Sequence, residues 1–177
     1  MKHSRSPNIN GLILFTPERY HDERGYFQES FNSIEFYEAL GKKVEFVQDN
    51  LSYSKKGVFR GIHLQDAPHA QAKLVQVIKG SVVDFAVDLR PSSPTYLKWE
   101  KFELSDKNRC QLWIPEGFGH AFLTTSDYAY FSYKTTNFYN KNSERCIRWD
   151  DPKIQLQLES LDCEIIISEK DSNGELV

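Results

Sequence analysis

A chain of 177 residues, 40% of them hydrophobic, is long enough for one domain with a sizeable core. Its 22 basic and 25 acidic residues leave a formal charge of −3, which excludes the basic surplus of a nucleic-acid binder while still allowing a small anion to be held locally. The opening "MKHSRSPNIN" has no apolar leader and no run approaches a membrane span. Three cysteines (Cys110, Cys146, Cys163) with no Cys-x-x-Cys spacing point to reduced thiols, so a soluble cytoplasmic protein is expected.

In chain order, "GLILFTP" reads as a strand, and "SIEFYEALGKK" as a short helix with Ser33 as N-cap and Gly41 as stop. "VEFVQDNLSY" is a further strand. "GVFRGIHLQDAPHAQAKLVQVIKG" reads as two strands around a loop, and "IKGSVVDF" as a hairpin turning at Gly80-Ser81. "SVVDFAVDLR", "YLKWEKFELS", "CQLWIPEG", "HAFLTT" and "YAYFSYKTT" complete a series of short strands punctuated by Gly, Pro, Asp and Ser. Such a series indicates a sandwich or barrel, and the absence of repeats and linkers makes residues 1–177 a single domain.

Strand alternation sorts the side chains. Lys73, Val75 and Val77 share one face, and Tyr133 shares another with Phe131 and Ala129, so a lysine and a tyrosine lie on apolar faces where their polar tips need a purpose. Arg60 and His63 have opposite parity, and a bulge at Gly61 would let both point inward.

The spacing resembles that of cupins, small jelly-roll barrels. Pro115-Glu116-Gly117-Phe118-Gly119-His120 matches their second motif, Pro-x-Gly-x-x-His. In the first motif His63 is present, but Gln65 stands where a second His would be and Lys73 where a Glu would be, seven residues before Gly80. A lysine ammonium repels a metal ion, so no metal is expected. The implied fold is all-β: a cupin-like antiparallel jelly-roll barrel with one or two short helices.

The segments "DERGYFQESF", "FVQDNLSYSKKGVFRGIHLQ", "PHAQAKLVQVIKGSVVDFAVDLRPSSPTY", "NRCQLWIPEGFGHAFL", "YKTTNFYNKNSERCIRWDDP" and "ISEKD" resemble the dTDP-4-dehydrorhamnose 3,5-epimerase family, from about residue 11 to 171. A Trp-Pro pair expected near "IQLQLESL" is absent, which bears on C-terminal packing rather than chemistry. The resemblance implies a dTDP-linked 4-keto-6-deoxy sugar as substrate, inversion at C3 and C5, and no cofactor. The ketone acidifies both flanking C–H groups. Inversion then needs a base on one face, an acid on the other and a cation near the enolate oxygen.

A lone histidine is more often structural, but its place in "RGIHLQ" makes His63 the base. By resemblance its carboxylate partner is Asp171 in "SEKD"; the rival is Asp84 in "SVVDFAV", which alternation also allows. Tyr133 becomes the acid rather than a core aromatic. Lys73 becomes the enolate's cation rather than a snorkelling lysine, and Tyr139 a pocket wall. Arg24, Arg60 and Lys170 suit the diphosphate, and His120 a phosphate or sugar contact. Glu29 and the run Gln48-Asp49-Asn50 can read a thymine edge, and Glu144 is a further substrate contact. Arg145 and Arg148 read as structural, pairing with Asp150 or Asp151. No Walker or dinucleotide motif is present.

The resemblance also implies a homodimer, with "GLILFTP" pairing across an edge and Arg24 and Glu29 serving the partner's pocket. Two other readings share these residues. One is a sibling that inverts C3 or C5 alone or isomerises the ketone; the other is a sugar- or nucleotide-binding cupin without catalysis.

Overall fold

The computed structural model describes residues 1–158 and 164–177, so Cys163 and the end of "IQLQLESL" lie outside the described residues. The chain forms strands β1 (Lys2–Arg5), β2 (Ile13–Thr16), β3 (Arg19–Asp22), β4 (Gly25–Gln28), β5 (Gln48–Lys55), β6 (Phe59–Gln65) and β7 (Lys73–Lys79). After these come β8 (Ser81–Asp88), β9 (Trp99–Ser105), β10 (Gln111–Ile114), β11 (Phe118–Thr124), β12 (Tyr128–Thr135) and β13 (Glu144–Cys146). Helix α1 (Ser33–Leu40) follows β4, and α2 (Glu169–Ser172) follows β13.

Two antiparallel sheets face each other, one ordered β1-β2-β10-β7-β12-β5 and the other β13-β6-β11-β8-β9; β3 and β4 form a separate ribbon. This is the expected jelly roll with two short helices. Between the sheets lie Val75, Val77, Ala129 and Phe131 from the first and Val82, Ala86, Leu104 and Phe122 from the second. The opposite parity feeds two outer layers. Leu74 packs with Phe15, Trp113 and Phe36 of α1, and Val83, Phe85, Ala121 and Leu123 pack against Ile154 and Leu156 of the C-terminal segment. That segment is anchored without a Trp-Pro pair, through these two side chains and a Val177 N–H that donates to Asp151 at 2.8 Å.

Three expectations are corrected. The Gly80-Ser81 turn is no hairpin, because β7 and β8 belong to different sheets and the chain crosses the barrel there. Gly80 sits at φ 89°, and a Cβ would lie 2.1 Å from the Tyr128 carbonyl, so the crossing requires glycine. Asn32, not Ser33, caps α1: its side chain accepts from the Ile34 N–H at 3.0 Å, leaving Ser33 as the first helical residue. Gly41 ends the helix at φ 73°, as expected. Finally, β2, from "GLILFTP", is no edge; β1 and β10 flank it, and β1 is the edge strand.

The bulge at Gly61 is present. His63 pairs with His120 and Arg60 with Phe122, three steps along β6 against two along β11. Gly61 has φ 127°, and a Cβ would meet that of Ala121 at 2.5 Å. The extra residue brings Arg60 and His63 to the same interior cavity.

Candidate active site

A cavity of about 120 Å³ opens between the sheets, lined on one wall by Arg60, His63 and His120 and on the other by Lys73 and Tyr133. The walls are β6 and β11 of one sheet and β7 and β12 of the other. Beneath it Phe122 and Phe131, one from each sheet, stack at 4.3 Å between ring centroids. A molecule in the cavity thus meets an imidazole on one side and a phenol on the opposite side.

His63 Nε2 lies 2.7 Å from Asp171 Oδ1, and the other carboxylate oxygen accepts the Gly61 N–H at 3.2 Å. Asp171 is held in place because Ser168 caps α2 through the Asp171 N–H. Burial works against its ionised form, but hydrogen bonding and charge from His63 outweigh this and hold the carboxyl below its ordinary range. A carboxylate only accepts, so Nε2 carries the proton and Nδ1 keeps the lone pair. This arrangement settles the choice between the two aspartates as partners of His63. Cys146, opposite His63 in the β13–β6 pairing, donates towards Asp171 at 3.5 Å, and burial with the Asp171 charge pushes its thiol up to about 12.

Asp84 belongs to another pair. Its Oδ2 lies 2.8 Å from His120 Nε2; both residues are buried, and Asp84 Oδ1 has no hydrogen-bond partner among the described residues. Burial raises the Asp84 carboxyl and lowers the His120 imidazole. Lys73 points into the cavity and donates to the His63 carbonyl at 3.4 Å. Burial lowers its ammonium to about 8, with the Asp84 and Glu144 charges pulling the other way.

These residues share their chain with a recognisable family. A family model described as dTDP-4-dehydrorhamnose 3,5-epimerase matches residues 6–177. An enzyme of that name from Shigella flexneri is 52% identical over 167 residues, 94% of this chain and 91% of that protein. A solved dTDP-6-deoxy-D-glucose-3,5-epimerase from Legionella pneumophila, in complex with dTDP-4-keto-L-rhamnose, superposes with a TM-score of 0.93 at 41% identity, covering 99% of this chain and 93% of that one. The chain belongs to the dTDP-4-dehydrorhamnose 3,5-epimerase family. It is a carbohydrate isomerase of that type. A dTDP-4-dehydrorhamnose 3-epimerase from Streptomyces niveus is also similar, 40% identical over 152 residues, 86% of this chain and 73% of that protein.

Within this epimerase the remaining expected residues divide into two groups. Tyr139 and Glu144 line the cavity; the Tyr139 hydroxyl donates to Glu144 at 3.0 Å, and Lys170 pairs with Glu144 at 2.6 Å. Gln48 accepts the Tyr139 N–H at 3.0 Å and donates to Asn50 at 2.8 Å, so both stand on the cavity side of β5. Asp49 alternates to the outer face, where it pairs with Lys134 at 3.0 Å. Arg24 lies in the turn of the β3–β4 ribbon, paired with Asp22, and Glu29 bonds Asn32; neither lines the cavity. Arg148 pairs with Asp150 at 2.6 Å as expected, whereas Arg145 reaches Glu175 and Asp66 instead, across from the strand pair that carries it.

Several cavity residues went unread in the sequence. Phe122 follows His120 by two positions along β11, so strand parity held a signal for it, whereas Gln71 precedes β7 and lies outside the alternation. Gln65, noted only as a missing ligand, donates to the His69 and Phe138 carbonyls and accepts the Asn140 N–H at 2.7 Å, bracing the loop that carries Tyr139. Cys146 had no sequence signal; only the cross-strand pairing puts it beside His63.

Proposed function

We propose that His63 is the base and Tyr133 the acid that invert C3 and C5 of dTDP-4-dehydro-6-deoxy-D-glucose in turn, without metal or cofactor. The observation carrying this reading is their placement on opposite walls of one cavity. His63 Nδ1 takes the proton next to the ketone, and Asp171 stabilises the imidazolium that results. Negative charge then collects on the C4 oxygen, where the Lys73 ammonium stabilises it, a contribution of ~2.7–4 kcal/mol by analogy with other oxyanion donors. Tyr133, whose hydroxyl burial holds above its ordinary range, arrives protonated and delivers a proton to the opposite face. Inversion at both carbons gives dTDP-4-dehydro-L-rhamnose, a precursor of surface polysaccharide. Arg60 and Lys170 hold the diphosphate, His120 and Glu144 contact the substrate, Tyr139 walls the sugar ring, and Gln48 and Asn50 meet the thymine edge.

Incubation with the 4-keto-6-deoxyglucose nucleotide in D2O tests this directly. Deuterium is expected at both C3 and C5. Deuterium at C3 alone would favour the 3-epimerase reading that the Streptomyces niveus relative keeps open. In Tyr133→Phe, His63 still abstracts and returns a proton on one face, so exchange should outrun inversion. If this variant inverts C5 as fast as the parent, Tyr133 is not the acid.

The working unit in this reading is a cytoplasmic homodimer. Leu51 and Tyr53 on β5 and Tyr20, Tyr26 and Phe27 on the β3–β4 ribbon are exposed, an apolar area suited to burial against a second copy. Arg24 and Glu29, away from their own cavity, would then reach the partner's. Light scattering should give twice the chain mass at micromolar concentration; a monomer would overturn this arrangement.

A further inference from the structure

We propose that His63, Cys146 and Asp171 form a binding site for a thiophilic d10 cation, Zn²⁺ or Cd²⁺, whose occupation switches the base off. The three side chains come from β6, β13 and α2, and each offers one donor atom; all three atoms lie within 4.8 Å of one another. Zinc bonds of about 2.0–2.3 Å in a tetrahedron separate ligand atoms by roughly 3.3–3.7 Å. The Cys146 Sγ to Asp171 Oδ1 distance of 3.5 Å is already in that range. His63 Nε2 and Asp171 Oδ1, at 2.7 Å, need only part as their hydrogen bond gives way to the ion.

The donor set selects the cation. Thiolate, imidazole and carboxylate together suit zinc and its heavier congener, whereas Mg²⁺ and Ca²⁺ prefer oxygen alone. Binding releases one proton, from the Cys146 thiol; the single proton of neutral His63 moves from Nε2 to Nδ1 through solvent, and Asp171 arrives ionised. The high proton affinity of the thiol opposes binding and keeps it reversible. It also makes Cys146 a poor nucleophile, so coordination rather than alkylation is the chemistry open to it. With the ion on Nε2 and the proton on Nδ1, the imidazole has no lone pair left to accept a substrate proton, and Asp171 no longer orients it. The fourth coordination position is left for water.

The switching half of this inference rests on His63 being the base; the binding half does not, and one experiment separates them. Metal-free protein is titrated with Cd²⁺ while the ultraviolet sulfur-to-cadmium charge-transfer band and the epimerisation rate are read in parallel. One equivalent should raise the band and remove the rate, a chelator should restore the rate, and Mg²⁺ should do neither. In Cys146→Ala, or Cys146→Ser should the alanine variant not fold, the band should vanish. The Cd²⁺ concentration that halves each variant's own metal-free rate should rise at least ~10-fold. Cys110→Ala and Cys163→Ala should keep both responses. A band that survives in the Cys146 variants, or that disappears in Cys110→Ala or Cys163→Ala, overturns the site. A Cys146-dependent band with an unchanged rate upholds the site and overturns the switch.

Discussion

The molecule holds two histidine–aspartate pairs of nearly equal length, 2.7 Å for His63–Asp171 and 2.8 Å for His120–Asp84, side by side on β6 and β11. Their surroundings separate them. The His63 side chain is 31% exposed and its carboxylate is satisfied by Gly61 and Cys146, which favours ionised Asp171 and leaves one imidazole nitrogen free for a substrate. The His120 side chain is 9% exposed, and Asp84 keeps one oxygen buried without a partner among the described residues. Burial there favours the uncharged form of both groups. Distance alone makes the pairs look equivalent. Solvent access and completeness of hydrogen bonding set them apart: one leaves a ring nitrogen accessible from the cavity, as the proposed base requires, and the other is closed into the wall.

Replacing members of the two pairs should pull activity and stability apart. His63→Ala should cost ~10²–10⁴-fold in solvent exchange at both carbons. Asp171→Asn, which invites the wrong imidazole tautomer, should approach the upper end of that range with the fold largely intact. Asp84→Ala should do the reverse. Leaving His120 buried without its partner should cost about 1–3 kcal/mol of unfolding free energy, seen in urea melts, and much less of the exchange rate. Equal rate losses in Asp171→Asn and Asp84→Ala would erase the distinction.

A smaller and pH-dependent effect belongs to Lys73, which stands between the pairs. Its pKa falls from 10.5 to about 8 on burial, so below pH 8 the folded state carries a poorly solvated ammonium. Above that pH the unfolded chain binds more protons than the folded one, and stability rises with pH until about 10.5. Lys73→Met should therefore be more stable than the parent at pH 7 by about 3 kcal/mol, a gap that closes through this window. Epimerisation should fall through the same window as the ammonium is lost. A pH-independent stability difference would show that Lys73 is not a buried cation.

Much of this was legible in the sequence, and the failures have physical causes. Alternation placed Lys73, Val75 and Val77 together, and Tyr133 with Phe131, because one buried face fixes strand parity. It could not say which sheet a strand joins, so the Gly80 crossing looked like a hairpin. Asn32 and Ser33 are both good caps, and only the backbone decides between them. Alternation correctly turned Asp84 inward, but it faces His120. The partner of His63 arrives from 108 residues away, a contact no local period encodes. Asp49 was grouped with its neighbours, although parity alone sends it to the outer face.

The stacked rings of Phe122 and Phe131 act as a shim. One ring is fixed to the wall that carries His63 and the other to the wall that carries Tyr133, and aromatic rings are incompressible in the direction they stack. The pair therefore helps to hold the two walls apart beside the cavity through apolar contact. The proposed transfer of a proton from one side of a flexible sugar ring to the other needs the gap between the walls constant while the ring turns within it. In this molecule the tolerance is held by its least reactive residues.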